Sequence, residues 1–413
     1  MKLLHLSDLH IGKIVNRYSM IDEQKHVFEQ IIEYIKTEQP NAVIIAGDVY
    51  DRAIPGVEAV GVFDDFLTAL AREGVTVMII AGNHDSPERM SFASRLLSEK
   101  KLFLYGSFDG TLHKLSLTDE YGEVHFWLLP FVKPLSVRAF FGESAPSKMA
   151  APSEIAVPSE IAAQGEVPRL MCGIESYDDA LAAILEGANI DYSCRNVLVS
   201  HQFYTKAGVT LERSESELNP VGGLDAIDAG LIGQFDYVAL GHLHGAQPVG
   251  SRHIRYAGSP VKYSFSEWRH EKSVTMVVLN EKGSLDISAL PLKPIHDMRE
   301  IKGEIKKLMS DEIVSLADKE DYVRVILTDE EEIIDPIGKL RSVYPNIMCL
   351  DFDNARKHID IGAIVSGAEK MEKLSPYELF NEFFLESQGS TMSDEQSEIV
   401  RELLLNAHSE DEA

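Results

Sequence analysis

Leu3-Leu4-His5-Leu6-Ser7-Asp8-Leu9-His10 decides how this chain is read: an apolar run of strand length ends on a carboxylate and an imidazole two residues apart. The pattern returns along the sequence. Residues 42–46 are followed by Gly47-Asp48, residues 75–81 by Asn83-His84-Asp85 behind Gly82, residues 197–200 by His201, and residues 237–240 by Gly241-His242-Leu243-His244. Such β-branched and leucine-rich runs, closed by glycine or a polar residue, predict buried strands. Val27, Ile31 and Ile35, then Val60, Phe63, Leu67 and Leu70, recur at helical spacing between the early strands and predict the amphipathic crossover helices of an α/β fold. Open α/β sheets bind their ligands at strand carboxyl ends, which is where each polar cluster falls.

Asp and Asn oxygens mixed with imidazole nitrogens suit borderline-hard divalent metals such as manganese, and the absence of cysteine from every cluster excludes a structural thiolate zinc site. The period-2 pleat at a strand end is expected to send Asp8 and His10 to one side, and likewise His242 and His244. Asp48, isolated behind Gly47, is placed to bridge two ions. Two ions about 3.5–4 Å apart yield a nucleophile near neutral pH and clamp the oxygens of an in-line phosphoryl displacement, so the expected chemistry is phosphoester hydrolysis. His84, directly after Asn83, is expected beside the ions as the catalytic histidine, donating a proton to the leaving oxygen or stabilising the transition state. Asp51 or Asp85 is the candidate partner for its other nitrogen. Each short motif arises by chance; their order and strand context carry the reading.

The 413 residues, 45% of them hydrophobic, are enough for two or three domains. No run approaches the roughly 20 apolar residues of a membrane span, and His5 and Asp8 interrupt the opening stretch too early for a secretory signal. Cys172, Cys194 and Cys349 form neither a disulfide framework nor a C-x-x-C pair, which fits a reducing cytoplasm. The net charge of −27 opposes capture of nucleic acid by the whole surface, so any DNA contact has to be local. Lys13, Arg17, Arg52, Arg89, Lys206, Arg252, Arg255, Lys262 and Arg269, near or between the metal motifs, are the candidate phosphate-contacting rim.

A first domain is expected over residues 1–280, with a further strand at Tyr256-Ala257-Gly258-Ser259-Pro260. It is interrupted at residues 145–169 by a tandem Pro/Ser/Ala-rich hexapeptide, 151–156 and 157–162, which reads as a flexible insertion. A small α/β unit is expected over 285–367. Two helices follow over 375–408, the first opened by Ser375-Pro376-Tyr377-Glu378 and the second by Ser393 with Gln396.

The ordered motifs Leu6-Ser7-Asp8-Leu9-His10, Ala46-Gly47-Asp48-Val49-Tyr50-Asp51-Arg52, Ala81-Gly82-Asn83-His84-Asp85-Ser86-Pro87 and Gly241-His242-Leu243-His244 resemble the calcineurin-like metallophosphoesterase superfamily. Within it, reinforced by residues 256–267, they resemble the SbcD family of bacterial nuclease subunits. The resemblance implies a two-sheet sandwich flanked by helices, a small α/β capping domain and C-terminal helices. It implies one metal on Asp8, His10, Asp48 and His244, a second on Asp48, Asn83, His201 and His242, and His84 as the non-ligand catalytic histidine. It further implies a manganese-dependent 3'-5' double-strand exonuclease and single-strand or hairpin endonuclease, acting on DNA ends and hairpins in repair, recombination and replication. The terminal helices would dock on an SbcC-type SMC-like ATPase. A homodimer would form through the helices after Asp51 and His84, within a nucleoid-associated heterotetramer. Leu379, Phe380, Phe383 and Phe384, and Ile399, Val400, Leu403 and Leu404, form apolar stripes that fit such docking. A phosphatase or cyclic-nucleotide phosphodiesterase on the same scaffold is the rival reading; Asp85 after Gly-Asn-His departs from the Gly-Asn-His-Glu form of phosphoprotein phosphatases, and small-molecule esterases would not need the added C-terminal units. A catalytically dead scaffold is disfavoured because no expected ligand is missing.

Overall fold

The computed structural model describes residues 1–141, 174–217 and 225–354, with scattered residues from 377 to 403. The expected insertion at 145–169 and the Ser375-Pro376 helix start lie outside the described residues. The chain divides into two compact units, Met1–Asp297 and Met298–Ala413.

The first unit contains two six-stranded sheets. One runs in the order Leu285–Pro291, Ser273–Leu279, Lys2–Leu6, Ala42–Ala46, Thr76–Ile80, Leu102–Tyr105, with the last four strands parallel. The other runs Gln247–Val249, Ser251–Tyr256, Tyr237–Leu240, Arg195–Ser200, Gly122–Leu129, His113–Asp119, and its four middle strands are parallel. Parallel pairing sends the carboxyl ends of neighbouring strands to the same edge, so each sheet presents its polar clusters together.

Alternation along the strands builds two apolar faces. Leu3, Ile44, Met78 and Ile80 from the first sheet pack with Phe126, Leu128, Val197, Val199 and Ala239 from the second, forming the core between the sheets. Leu198, Val238 and Leu240, on the far face of the second sheet, pack with Leu181 and Ile184 of the helix Tyr177–Ala188. The helices Ile21–Glu38 and Val57–Glu73 bury Val27, Phe28, Ile31 and Ile35, and Val62, Phe63, Phe66 and Leu70. Phe28 and Phe66 stack with their centroids 4.4 Å apart. Each fully buried side chain of this size contributes about 1.5–3 kcal/mol of transfer free energy, which anchors the strand ends that carry the polar loops.

Two element boundaries differ from expectation. Residues 285–291 are not the start of a second unit: Leu285–Pro291 pairs antiparallel with Ser273–Leu279 as the edge strand of the first sheet, after the tight Glu281-Lys282-Gly283-Ser284 turn. The strand expected at 256–260 ends at Tyr256, because Ala257 and Ser259 turn their N–H groups to Leu240 and His244 carbonyls and Gly258 adopts φ +79°.

The second unit holds a three-stranded parallel sheet, Met298–Gly303, Tyr322–Leu327 and Ile347–Phe352. Val323, Val325 and Leu327 pack with Ile305, Leu308, Leu340 and Tyr344 in its own core. Near its end, Ser393 and Gln396 form the expected reciprocal cap: Ser393 N–H donates to Gln396 Oε1 at 2.9 Å and Gln396 N–H to Ser393 Oγ at 3.2 Å.

Candidate metal centre

The five expected clusters converge on one buried cleft at the strand ends of both sheets. Asp8, His10, Asp48, Asn83 and His84 come from the first sheet, His201, His242 and His244 from the second. His10 Nε2 faces His244 Nε2 at 3.1 Å. Asn83 Oδ1 lies 3.1 Å from both His201 Nε2 and His242 Nδ1. Between these groups stands Asp48, whose Oδ2 is 3.7 Å from His10 Nε2 and 3.3 Å from His201 Nε2. Asp8, His10 and His244 lie close enough to share one ion, as do Asp8, Asp48 and His201, and His10, Asp48 and His84.

The donors are aimed by backbone geometry that no periodicity encodes. The strand Lys2–Leu6 stops before Asp8, and Asp8 and His10 adopt left-handed φ values of 53° and 43°. Asp48 and His242 do the same at 51° and 109°. The expectation of a pleat carrying Asp8 and His10, or His242 and His244, to one side is therefore corrected: consecutive turns place them, and His242 and His244 reach different parts of the cleft. Residues other than glycine rarely adopt this conformation, and it concentrates at functional sites. Two glycines supply the clearance. A Cβ on Gly82 would lie 2.1 Å from Asp48 Oδ1, and one on Gly47, at φ +90°, would lie 2.4 Å from His201 Nδ1.

Around the donors, polar groups fix each orientation. Asp8 accepts from Ser7 Oγ at 2.5 Å and from His242 N–H at 3.0 Å. Asp48 Oδ1 accepts the His84 N–H at 2.8 Å, which leaves Oδ2 directed into the cleft. His201 Nδ1 meets the Ala46 carbonyl at 2.7 Å. For His84 neither expected carboxylate is the partner: Nδ1 lies 2.8 Å from the backbone carbonyl of Asp51. Asp85 instead accepts the N–H groups of Val49, Tyr50 and Gly82 at 3.1, 2.9 and 2.9 Å, clamping the Asp48 loop to the Asn83 loop.

Several supporting residues carry no motif. Gln24 donates to the carbonyls of Leu9 and His10 and accepts from Gly12 N–H, holding the first loop. Glu217 Oε1 accepts the His244 N–H at 2.7 Å. Half-buried Ser216 and buried Glu267 and Lys272 form a hydrogen-bonded chain behind His244. Glu267 falls within the stretch 256–267 that carries the family resemblance, yet nothing in its spacing announces a contact with His244.

The electrostatics are those of a dry site crowded with bases. Burial pushes Asp8 up to about 6, and burial with the charge of Asp48 pushes Asp85 to about 6. Burial also holds His10 well below its ordinary range, and burial with the neighbouring His201 drives His242 down to about 3. Burial alone would raise Asp48, but facing His201 it is held well below the usual carboxylate range. Burial would lower His201, but Asp48 carries it up to about 9. Opposed imidazole nitrogens, a carboxylate oxygen between them, and all-oxygen-and-nitrogen donors fit divalent cations of the manganese or zinc type.

The basic residues of the expected rim divide. Lys13 is engaged by Asp51 at 2.8 Å, and Lys262 is buried, donating to Asp297 and to the Trp268 carbonyl. Arg252 donates to the Leu285 carbonyl and Arg269 lies over the Trp268 ring. Arg255 is partly buried beside His5 and Tyr237. Arg17, Arg89 and Lys206 are exposed, and Arg52, also exposed, pairs with Asp51 at 3.5 Å.

The chain belongs to the calcineurin-like phosphoesterase family, whose model matches residues 1–246, and is thus a metal-dependent phosphoesterase. Residues 294–388 match a second model, described as the type 5 capsule protein repressor C-terminal domain. The particular relatives are consistent with one another. A Staphylococcus epidermidis protein described as the SbcD subunit of the SbcCD nuclease is 28% identical over 98% of both chains. One of the same description from Staphylococcus saprophyticus is 27% identical, again over 98% of both. A solved dimetal phosphatase from Danio rerio is 12% identical, covers 71% of this chain and 96% of its own, and has a TM-score of 0.39. No helix among the described residues is long and apolar enough to cross a membrane.

Proposed function

We propose that this chain is a manganese-dependent DNA nuclease, a 3'-5' exonuclease on duplex ends and an endonuclease on single strands and hairpins, acting with an SbcC-type ATPase. The observation that carries the reading is the Asp48 carboxylate standing between two groups of nitrogen and oxygen donors, joined to full-length similarity with proteins described as SbcD subunits of the SbcCD nuclease. Asp8, His10, Asp48 and His244 would hold one ion, and Asp48, Asn83, His201 and His242 the other. When bound, such a pair supplies Lewis acidity to phosphoryl oxygens and makes water acidic enough to act as a nucleophile near neutral pH.

The remaining work falls to the chain. The His84 N–H holds Asp48 Oδ1 and so keeps the other carboxylate oxygen in the cleft. A carbonyl can only accept, so the Asp51 carbonyl keeps a proton on His84 Nδ1 and leaves Nε2 to carry and release a proton to the departing oxygen. Asp85 fixes the distance between the loops that carry Asp48 and His84. Arg17, Arg89 and Lys206 are exposed cations available to phosphates, and Arg52 becomes so on releasing Asp51.

Exposed Ile54, Val57 and Val60, and exposed Phe92 and Leu96, in the segments that follow Asp51 and His84, favour a second copy of the chain there. Ile399 and Leu403, exposed near the end of the chain, favour the partner ATPase there. The test is cleavage of a linear duplex and a hairpin by the chelated and manganese-reloaded chain, with and without the cognate ATPase, beside small phosphate mono- and diesters. Restored DNA cleavage supports the proposal; turnover confined to small esters overturns it in favour of a phosphatase.

A further inference from the structure

The four imidazoles proposed as ligands are supported unequally. His201 leans on a backbone carbonyl, His242 Nε2 and His10 Nδ1 are buried without a hydrogen-bond partner, the latter with Asp51 Oδ1 no nearer than 3.9 Å, and His244 is the one of the four whose outer nitrogen is within hydrogen-bond reach of a carboxylate system. His244 Nδ1 is 2.8 Å from Ser216 Oγ and 3.3 Å from Glu267 Oε1, and Ser216 Oγ donates to the same oxygen at 2.7 Å. Glu267 is fully buried, and its other oxygen receives Lys272 Nζ at 2.6 Å. Lys272 also donates to the His244 carbonyl at 3.0 Å and to Ser259 Oγ at 2.8 Å.

The direction of this chain is forced. A carboxylate paired with an ammonium only accepts, so the single Ser216 hydroxyl proton points at Glu267. That hydroxyl then has only lone pairs to offer His244, and Nδ1 must carry the hydrogen. The lone pair of His244 consequently sits on Nε2, the atom that faces His10 across the cleft.

We infer that Glu267, anchored by Lys272 and relayed through Ser216, is the positioning residue that sets the tautomer of His244 and thereby tightens one of the two ion sites selectively. The inference deepens the reading above and rests on it for the ions, while the tautomer stands by itself. Outer partners of this kind change ion affinity by about 10–100-fold when lost. Among the described residues no hydrogen bond joins Asn83, His201 or His242 to this chain, so the effect should fall on one binding step.

Two measurements decide it, both on the full chain. Nitrogen-15 spectra of histidine-labelled, chelator-treated protein report which nitrogen of His244 is protonated, and calorimetric titration with manganese resolves the binding steps. In Glu267→Gln, Lys272 claims the amide oxygen and the NH2 turns to Ser216. The Nε2–H form of His244 should then appear, and one manganese step should weaken about 10–100-fold while the other holds. Since that variant strands a buried ammonium, Glu267→Met with Lys272→Met, which replaces both charges by apolar chains, is the second arm and should lose the tautomer preference with the same one-sided effect. Ser216→Ala should keep the Nδ1–H form, because Glu267 takes over directly from 3.3 Å. An Nδ1–H form unchanged in both Glu267 variants overturns the inference, as does equal weakening of both steps. A parent chain that binds no manganese defeats the metal reading instead, and the spectra still decide whether Glu267 orients His244.

Discussion

His5 offers a clean measurement of what the scaffold under the site demands. It lies on the strand Lys2–Leu6, which delivers Asp8, and is fully buried, with Nδ1 2.8 Å from the Tyr237 hydroxyl and Nε2 without a partner. Burial, and then the charge of Arg255, drive its pKa from 6.5 down to about 3. The unfolded chain therefore takes up a proton on His5 below pH 6.5 while the folded one refuses it. Stability is complete above pH 6.5 and falls by about 1.4 kcal/mol for each pH unit below, or about 2 kcal/mol at pH 5. His5→Leu cannot titrate; it forfeits the hydrogen bond to Tyr237 at a cost of about 1 kcal/mol that does not depend on pH. The variant should be the less stable protein at pH 7.5 and should equal or exceed the parent by pH 5. Urea unfolding of both in chelator at several pH values measures this, and taking their difference cancels the titration of the shared metal donors. A gap that stays constant from pH 7.5 to 5 would refute the reasoning.

Three other outcomes follow from the geometry. His84→Ala should lower kcat on DNA by about 10²–10⁴-fold while leaving manganese stoichiometry intact in calorimetry, since neither proposed ion depends on its imidazole; loss of one ion would instead make His84 a ligand with His10 and Asp48. Asp85→Ala strands the N–H groups of Val49, Tyr50 and Gly82, each costing about 1–3 kcal/mol, partly offset by no longer burying a carboxylate raised to about 6. A net loss near 2 kcal/mol is expected in urea titrations. Val57→Glu with Phe92→Glu should convert a dimer to a monomer in sedimentation; a parent that already sediments as a monomer removes the second copy from these segments.

The strands, and the convergence of the Asp, Asn and His residues at their ends, were legible because burial between two layers demands continuous apolar runs and parallel strands send their carboxyl ends to one edge. Residues 3–6, 42–46 and 76–80 could hardly be read otherwise. The turns were not legible: Asp8, His10 and Asp48 take left-handed φ values that tertiary contacts impose against local preference. Nor was the sheet to which Leu285–Pro291 belongs, since an exposed edge strand carries only a weak alternation. The chain Ser216, Glu267, Lys272 joins residues separated by up to 56 positions, and nothing short of folding brings them together. Among the basic residues, proximity in sequence misled for Lys13 and Lys262, which carboxylates on other segments already hold.

The contorted backbone at Asp8, His10, Asp48 and His242 separates two quantities that alanine scanning normally merges. Alanine at any of these positions deletes the functional side chain but preserves the torsional penalty, about 1 kcal/mol or more, whereas glycine deletes the same side chain and lets the chain relax. Paired substitutions would thus be equally inert yet melt at different temperatures, glycine above alanine. Read position by position, that interval is a calorimetric map of how much tension the polypeptide tolerates to keep its side chains pointed into the cleft.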